Sequence, residues 1–217
     1  MKLEAKNLQC TRGDRELFSD LSFSLEKSQL MMLEGQNGSG KTTLLRALCG
    51  LYEPDEGEIL WQGKSIKKLD EAYRRELFYL GHLNAIKPDL TVLENLRFNT
   101  LLAGDSVTDE ALMQALGTIG LFAFEDFPAS QLSQGQKRRV SLARLLVSKA
   151  NLWILDEPFV ALDIAAVELL QSIIAKHVEE GGMVILTTHQ EVPLTRGKIK
   201  RLSLSGGSIK EQVGVNA

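Results

Sequence analysis

The sequence predicts an α/β protein with a mostly parallel core sheet, flanking antiparallel β strands and an inserted α-helical lobe. Three apolar runs, QLMMLEG at 29–35, NLWILDE at 151–157 and GMVILTTH at 182–189, are near-continuous, as parallel strands covered on both faces require. KLEAKNLQC, LFSDLSFSL and EGEILWQGKSI around Gly63 instead alternate apolar and polar residues, which predicts antiparallel strands. Between about Thr91 and Val147 the period becomes helical, with TVLENLRFNTLL and TDEALMQALGTIGL separated by Gly104 and Asp105.

The 217 residues form a single expected domain, 1–217, with the helical lobe at about 84–148. A composition of 44% hydrophobic and 24% charged residues is that of a soluble globular chain. The formal net charge of −3 argues against a nucleic-acid partner. No apolar run is long enough to span a bilayer, and MKLEAKNLQC carries charge where a signal peptide needs an apolar stretch. The expected compartment is therefore the cytoplasm. Cys10 and Cys49 fit neither a metal spacing nor a disulfide framework.

In chain order, the first strand ending with chemistry is that of GQNGSGKTT, at 35–43, which leads into the helical stretch TLLRALCG. That is the strand–loop–helix context of G-x-x-x-x-G-K-[ST]. Gly35, Gly38 and Gly40 let backbone N–H groups turn inward around phosphates. Lys41 brings a compact cation to the terminal phosphates, and Thr42 a hydroxyl suited to Mg²⁺.

LSQGQKRRVSLARLL, at 132–146, predicts a second helix start. Val140, Ala143, Leu146 and Val147 share a face, Ser133 is a good N-cap, and Lys137, Arg138 and Arg139 follow one turn in. Two readings stand for it alone: a well-capped surface helix, or an N-terminus aimed at an anion.

LWILDEP, at 152–158, ends an apolar strand in adjacent carboxylates, which a core strand avoids unless they serve a purpose. Asp156 fits a Mg²⁺ partner, and Glu157 the group that orients and activates a water attacking a γ-phosphate. His189, at the end of the third run, can reach that water and phosphate. Strand carboxyl ends gather ligands in open α/β sheets, so the three ends are expected to share one crevice.

GQNGSGKTT, LSQGQ, LWILDEP, ALD at 161–163 and TTH at 187–189 resemble, in order and spacing, the motifs of ATP-binding-cassette ATPases across essentially the whole chain. The resemblance implies a P-loop NTPase fold of ABC type. It implies an ATPase using ATP and Mg²⁺, with 35–43 (Gly35, Gln36, Asn37, Gly38, Ser39, Gly40, Lys41, Thr42, Thr43) around the nucleotide. Thr42 and Asp156 would face the metal, and Glu157 and His189 would be catalytic. Two such domains pair head to tail, so Ser133 and Gly135 would serve the nucleotide of a second copy; Gln136 and Asp163 are also implied to bind nucleotide. That favours the anion-receptive reading of the helix. Gln134 departs from the commoner Gly, and Arg12 falls near where an aromatic usually stacks on adenine; a guanidinium plane can stack there instead. Leu83 stands where the family carries a Gln that senses the γ-phosphate, with His82 and Asn84 beside it.

GHLNAIKPDLTVLENL, DEPFVALD and LTTHQ further resemble the ATP-binding subunits of bacterial cytochrome c maturation systems, the haem exporters. That implies a peripheral subunit on the cytoplasmic face of the cell membrane, partnered by integral membrane subunits and driving haem delivery or release of a haem-loaded chaperone. Other ABC transporters, a soluble cassette ATPase and a low-turnover nucleotide-binding scaffold are the alternatives. His82, His177 and His189 lack an axial-ligand context, so haem itself is not expected on this chain.

Overall fold

In the computed structural model, which describes residues 1–188, 198–204 and 211–215, the chain starts as a hairpin of β1 (Lys2–Arg12) and β2 (Arg15–Glu26). Phe18, Leu21, Phe23 and Leu25 are buried along β2. In β1 the buried set Leu3 and Ala5 passes to Leu8 and Cys10 across a bulge, where Asn7 takes a φ of 48°. β3 (Gln29–Glu34), buried at its four central residues, leads through the Gly-rich loop into α1 (Lys41–Leu48). β4 (Glu56–Trp61) turns at Gln62 and Gly63 into β5 (Lys64–Ser65), and the short helices α2 (Ile66–Leu69) and α3 (Glu71–Arg74) precede β6 (Leu77–Leu80).

The helical segments are α4 (Val92–Leu102), α5 (Asp109–Thr118) and α6 (Gln134–Val147). β7 (Leu152–Leu155), α7 (Ile164–Glu179), β8 (Met183–Thr187), β9 (Lys198–Ser203) and β10 (Glu211–Val215) follow.

A four-stranded antiparallel sheet runs β2-β1-β4-β5, and a six-stranded sheet runs β10-β9-β3-β8-β7-β6. In the second, β3 is parallel to both β8 and β9, and β7 is parallel to β8. The three continuous apolar runs are therefore adjacent parallel strands, and the alternating runs form the antiparallel sheet, as their patterning predicts. Only β10, paired antiparallel with β9, departs from the parallel order among the strands whose pairing is defined.

The chain divides into two compact units. The first holds Met1–Tyr79, Asn151–Pro158 and Ala175–Ala217, and the second Leu80–Ala150 and Phe159–Ile174. In the first, one core joins Leu3, Leu25, Met31 and Leu33 of the strands to Leu44, Leu45 and Leu48 of α1. In the second, Val92 and Leu96 of α4, Leu112 and Leu116 of α5, and Val140 and Ala143 of α6 share a core. The buried face of α6 differs from the expected one: Leu142 and Leu145 are buried with Val140 and Ala143, whereas Leu146 is 36% exposed.

Candidate active site

The first unit builds its site at the ends of β3, β7 and β8. Gly35 closes β3 with a φ of 149°, and a Cβ there would lie 2.6 Å from the Ser39 hydroxyl and 2.7 Å from the Leu204 carbonyl, so only glycine fits. The loop turns through Gln36, Asn37 and Gly38, which are exposed, and the amide of Ser39 donates to the Gln36 carbonyl at 3.1 Å. Gly40, at a φ of 98°, caps α1, and the helix ladder begins with Leu44 N–H to the Gly40 carbonyl at 2.8 Å.

Lys41 is only 8% exposed, and its ammonium donates to the carbonyls of Gly35 at 2.7 Å and Gln36 at 3.2 Å. The cation thus bends back across the mouth of its own loop. The Ser39 hydroxyl is buried without a hydrogen-bond partner among the described residues. A loop with an inward cation and an orphaned donor is built to receive an anion.

Beyond the loop, hydroxyls hold the Asp156 carboxylate and the Glu157 backbone. Thr42 donates its hydroxyl to Asp156 Oδ2 at 3.0 Å, and Thr187 donates to Asp156 Oδ1 at 2.8 Å. Thr187 Oγ1 also accepts the Glu157 N–H at 2.9 Å, where Glu157 adopts a left-handed φ of 49°. Asp156 is 4% exposed, and its charge contributes, after burial, to pushing up the Cys49 thiol and the Tyr79 phenol. Thr42 and Asp156 form an all-oxygen pair that fits Mg²⁺, which takes one or two protein oxygens and completes its shell with phosphate and water. His189 lies outside the described residues. Arg12 is exposed at the end of β1, and Thr43 is half-buried on α1.

In the second unit α6 starts with a reciprocal cap. Ser133 Oγ accepts the Gln136 N–H at 3.2 Å while Gln136 Oε1 accepts the Ser133 N–H at 2.9 Å. The Gln136 side chain is thereby engaged within its own helix, whereas the first N–H groups, on Gln134 and Gly135, have no acceptor in the α-helical pattern. Ser133, Gly135, Gln136, Arg139 and Asp163 are among the residues around a cleft of about 380 Å³. Asp163 Oδ1 accepts the Ala166 N–H at 2.9 Å, and Oδ2 pairs with Arg139. The Ala166 amide, then Arg139, hold its carboxyl below the usual carboxylate range.

Arg138, 4% exposed, donates to Asn84 Oδ1 at 3.3 Å and the Gly81 carbonyl at 3.4 Å, and Ser141 donates to the Asn84 carbonyl at 2.5 Å. Asn95 fastens the same loop at Lys87, accepting its N–H at 2.7 Å and donating to its carbonyl at 2.9 Å. Leu83, in the middle, is 82% exposed.

Sequence reasoning missed Thr187 and the Asn84–Arg138 tie. Thr187 had a legible signal, a hydroxyl closing an otherwise apolar strand. Arg138 had none, because a Lys-Arg-Arg run reads as solvated.

Residues 18–160 match the ABC transporter family. The chain belongs to that family. As a family member it is an ATP-binding, ATP-hydrolysing cassette. It is similar to the cytochrome c biogenesis ATP-binding export protein CcmA of Nitrosomonas europaea, 55% identical over 203 residues covering 94% of this chain and 95% of the relative. The protein of the same name from Escherichia coli strain K12 is 50% identical, covering 94% and 96%. Among solved structures, the ATP-binding subunit of an ABC transporter superposes with a TM-score of 0.88 at 26% identity, covering 98% of this chain and 90% of that one. A dimeric post-hydrolysis ATP-binding cassette bound to ADP and Pi reaches 0.84 at 23% identity, covering 97% and 98%, and shows the fold alone. No helix among the described residues is long and apolar enough to cross a membrane.

Proposed function

We propose that this ABC ATPase is the energy-supplying subunit of a membrane complex of cytochrome c maturation, using ATP to drive haem delivery or release of a haem-loaded chaperone. The observation that carries this reading is 55% identity to a cytochrome c biogenesis ATP-binding export protein over 94% of the chain. The motif order also supports the reading.

In the proposed reaction the inward N–H groups of the loop, the Ser39 hydroxyl and Lys41 take the ATP phosphates, Lys41 exchanging the Gly35 and Gln36 carbonyls for phosphate oxygens. Thr42 and Asp156 would hold Mg²⁺, which supplies charge neutralisation at the β and γ oxygens. Asp156 is kept in place by Thr187, and the same hydroxyl fixes the backbone of Glu157. Glu157 aligns the attacking water and accepts its proton as the bond to the β-phosphate oxygen breaks. His189 is assigned to the γ-phosphate region by resemblance. Ser133 and Gly135 of a second copy supply an O–H and an N–H to the same γ-phosphate, with Asp163 shaping that edge through Arg139. Closing the pair excludes water from the reacting atoms. The membrane subunits receive the movement at the cytoplasmic face.

The reading is tested in a strain whose only copy carries Glu157→Gln. Holocytochrome c should fall to background while apocytochrome is still made and exported. Normal holocytochrome c would assign the chain to another transport system.

A further inference from the structure

Arg15 opens β2, and its guanidinium comes within 3.8 Å of the point where a Cβ on Gly38 would stand, placing it beside the middle of the phosphate loop. The strand that carries it is seated on that loop. A Cβ on Gly40 would meet the Leu17 Cβ at 3.1 Å and the Phe18 ring at 3.2 Å. Leu17 and Phe18 lie two and three residues beyond Arg15, where the β1–β2 register shifts between Cys10–Phe18 and Thr11–Glu16. Packing, rather than a loose hairpin, therefore sets where the cation lies.

The charge arrangement is a second observation. Arg12 and Arg15 are direct partners in the β1–β2 register, and like charges directly opposite each other oppose folding when nothing neutralises them. Neither makes a hydrogen bond or ion pair with the described residues. Two nearby carboxylates are engaged elsewhere: Glu16 accepts from Gln9 and Ser19, and Asp55 from the Thr11 amide and hydroxyl. Asp14 lies in the turn between the two arginines. A guanidinium held beside a phosphate-receiving loop, with a second arginine as its strand partner, matches a ligand with several negative charges.

We propose that Arg15 is a further nucleotide-binding residue, a side-chain contact to the phosphate chain of the nucleotide held by residues 35–43. The inference rests on reading that loop as the nucleotide site. A guanidinium suits the role because its planar fork meets two phosphate oxygens at once, and its charge persists at every physiological pH. Arg12, alongside, adds to the local positive potential.

The test is calorimetric titration of the intact chain with MgADP, which fills the site without being hydrolysed, at several salt concentrations. Arg15→Ala should weaken MgADP by about tenfold, the loss of one charge-assisted contact, and should flatten the dependence of Kd on salt. Arg15→Lys should lose less. Because Arg15 is exposed and faces the like charge of Arg12, the nucleotide-free variants should melt at or slightly above the wild type, and Arg15→Lys supplies the comparison if the alanine variant does not fold. A Kd for Arg15→Ala within twofold of wild type, or for Arg15→Lys if that is the variant that folds, overturns the proposal. So does a weaker Kd with an unchanged salt dependence, which would make Arg15 a base or ribose contact. Wild-type protein that binds no MgADP would instead overturn the nucleotide-site reading itself.

Discussion

Replacing Thr187 with Val keeps the shape of a fully buried side chain and removes one oxygen. That oxygen donates to Asp156 at 2.8 Å and accepts from the Glu157 amide at 2.9 Å. Each lost bond at a buried site is worth about 1–3 kcal/mol, the larger figure applying to the charged partner, so the folded state should lose roughly 3 kcal/mol. In a chain of this size that lowers Tm by about 6–12 °C. The effect on chemistry is separate. Without the hydroxyl the left-handed Glu157 loses a fixed point, and a misaligned base costs on the order of tenfold to a hundredfold in kcat. Thr187→Ser keeps the oxygen and should retain most of both properties. Denaturant titration and steady-state hydrolysis of MgATP measure the two effects. A Thr187→Val chain with unchanged stability and kcat would refute the claim that this hydroxyl organises Asp156 and the backbone of Glu157.

Leu83→Gln should raise basal turnover of the isolated chain tens- to several-hundred-fold, because it restores a polar contact at the γ-phosphate worth roughly 2–4 kcal/mol in the transition state. Asn84 is unavailable as a substitute while it is tied to Arg138 and Ser141; unchanged turnover in Leu83→Gln together with a sharp loss in His82→Ala would contradict this. His177 predicts an acid sensitivity. It stacks on Trp153 at 3.7 Å between ring centroids, and burial holds its pKa below the ordinary 6.5. The folded state therefore favours the neutral ring, so its contribution is complete above pH 6.5 and is lost as the pH falls below that value. Wild type should lose more stability than His177→Phe between pH 7.5 and 5.5, read as denaturant midpoints; parallel curves would show that His177 plays no part.

The paired carboxylates Asp156 and Glu157 and the glycine-rich loop were legible because each interrupts a strong local pattern: charge after LWIL, and glycines between an apolar strand and a helix. Parallel pairing was legible for the same reason, since β3, β7 and β8 are apolar on both faces. What the sequence did not disclose depends on partners distant along the chain. Thr187 acts on residues 31 and 30 positions away, and no local signal names them. Arg138 lies in a run that reads as a solvated cation cluster, yet it turns inward to the loop around Asn84. Asp163 was assigned to the nucleotide by its motif, while its carboxylate caps α7 at Ala166 and pairs with Arg139. Arg15 was passed over because an exposed arginine in a hairpin has no meaning until the hairpin's place beside Gly38 is known.

The central claim is that one chain supplies the loop and carboxylates while another supplies the helix that begins at Ser133, so that bound ATP joins two copies. Light scattering on Glu157→Gln protein tests it most directly, because that variant keeps every proposed binding group and removes the base. With MgATP it should elute as a stable dimer and without nucleotide as a monomer, and adding Ser133→Arg to the same chain should return it to a monomer that still binds ATP. A Glu157→Gln chain that stays monomeric in saturating MgATP, or a dimer indifferent to Ser133→Arg, would contradict it.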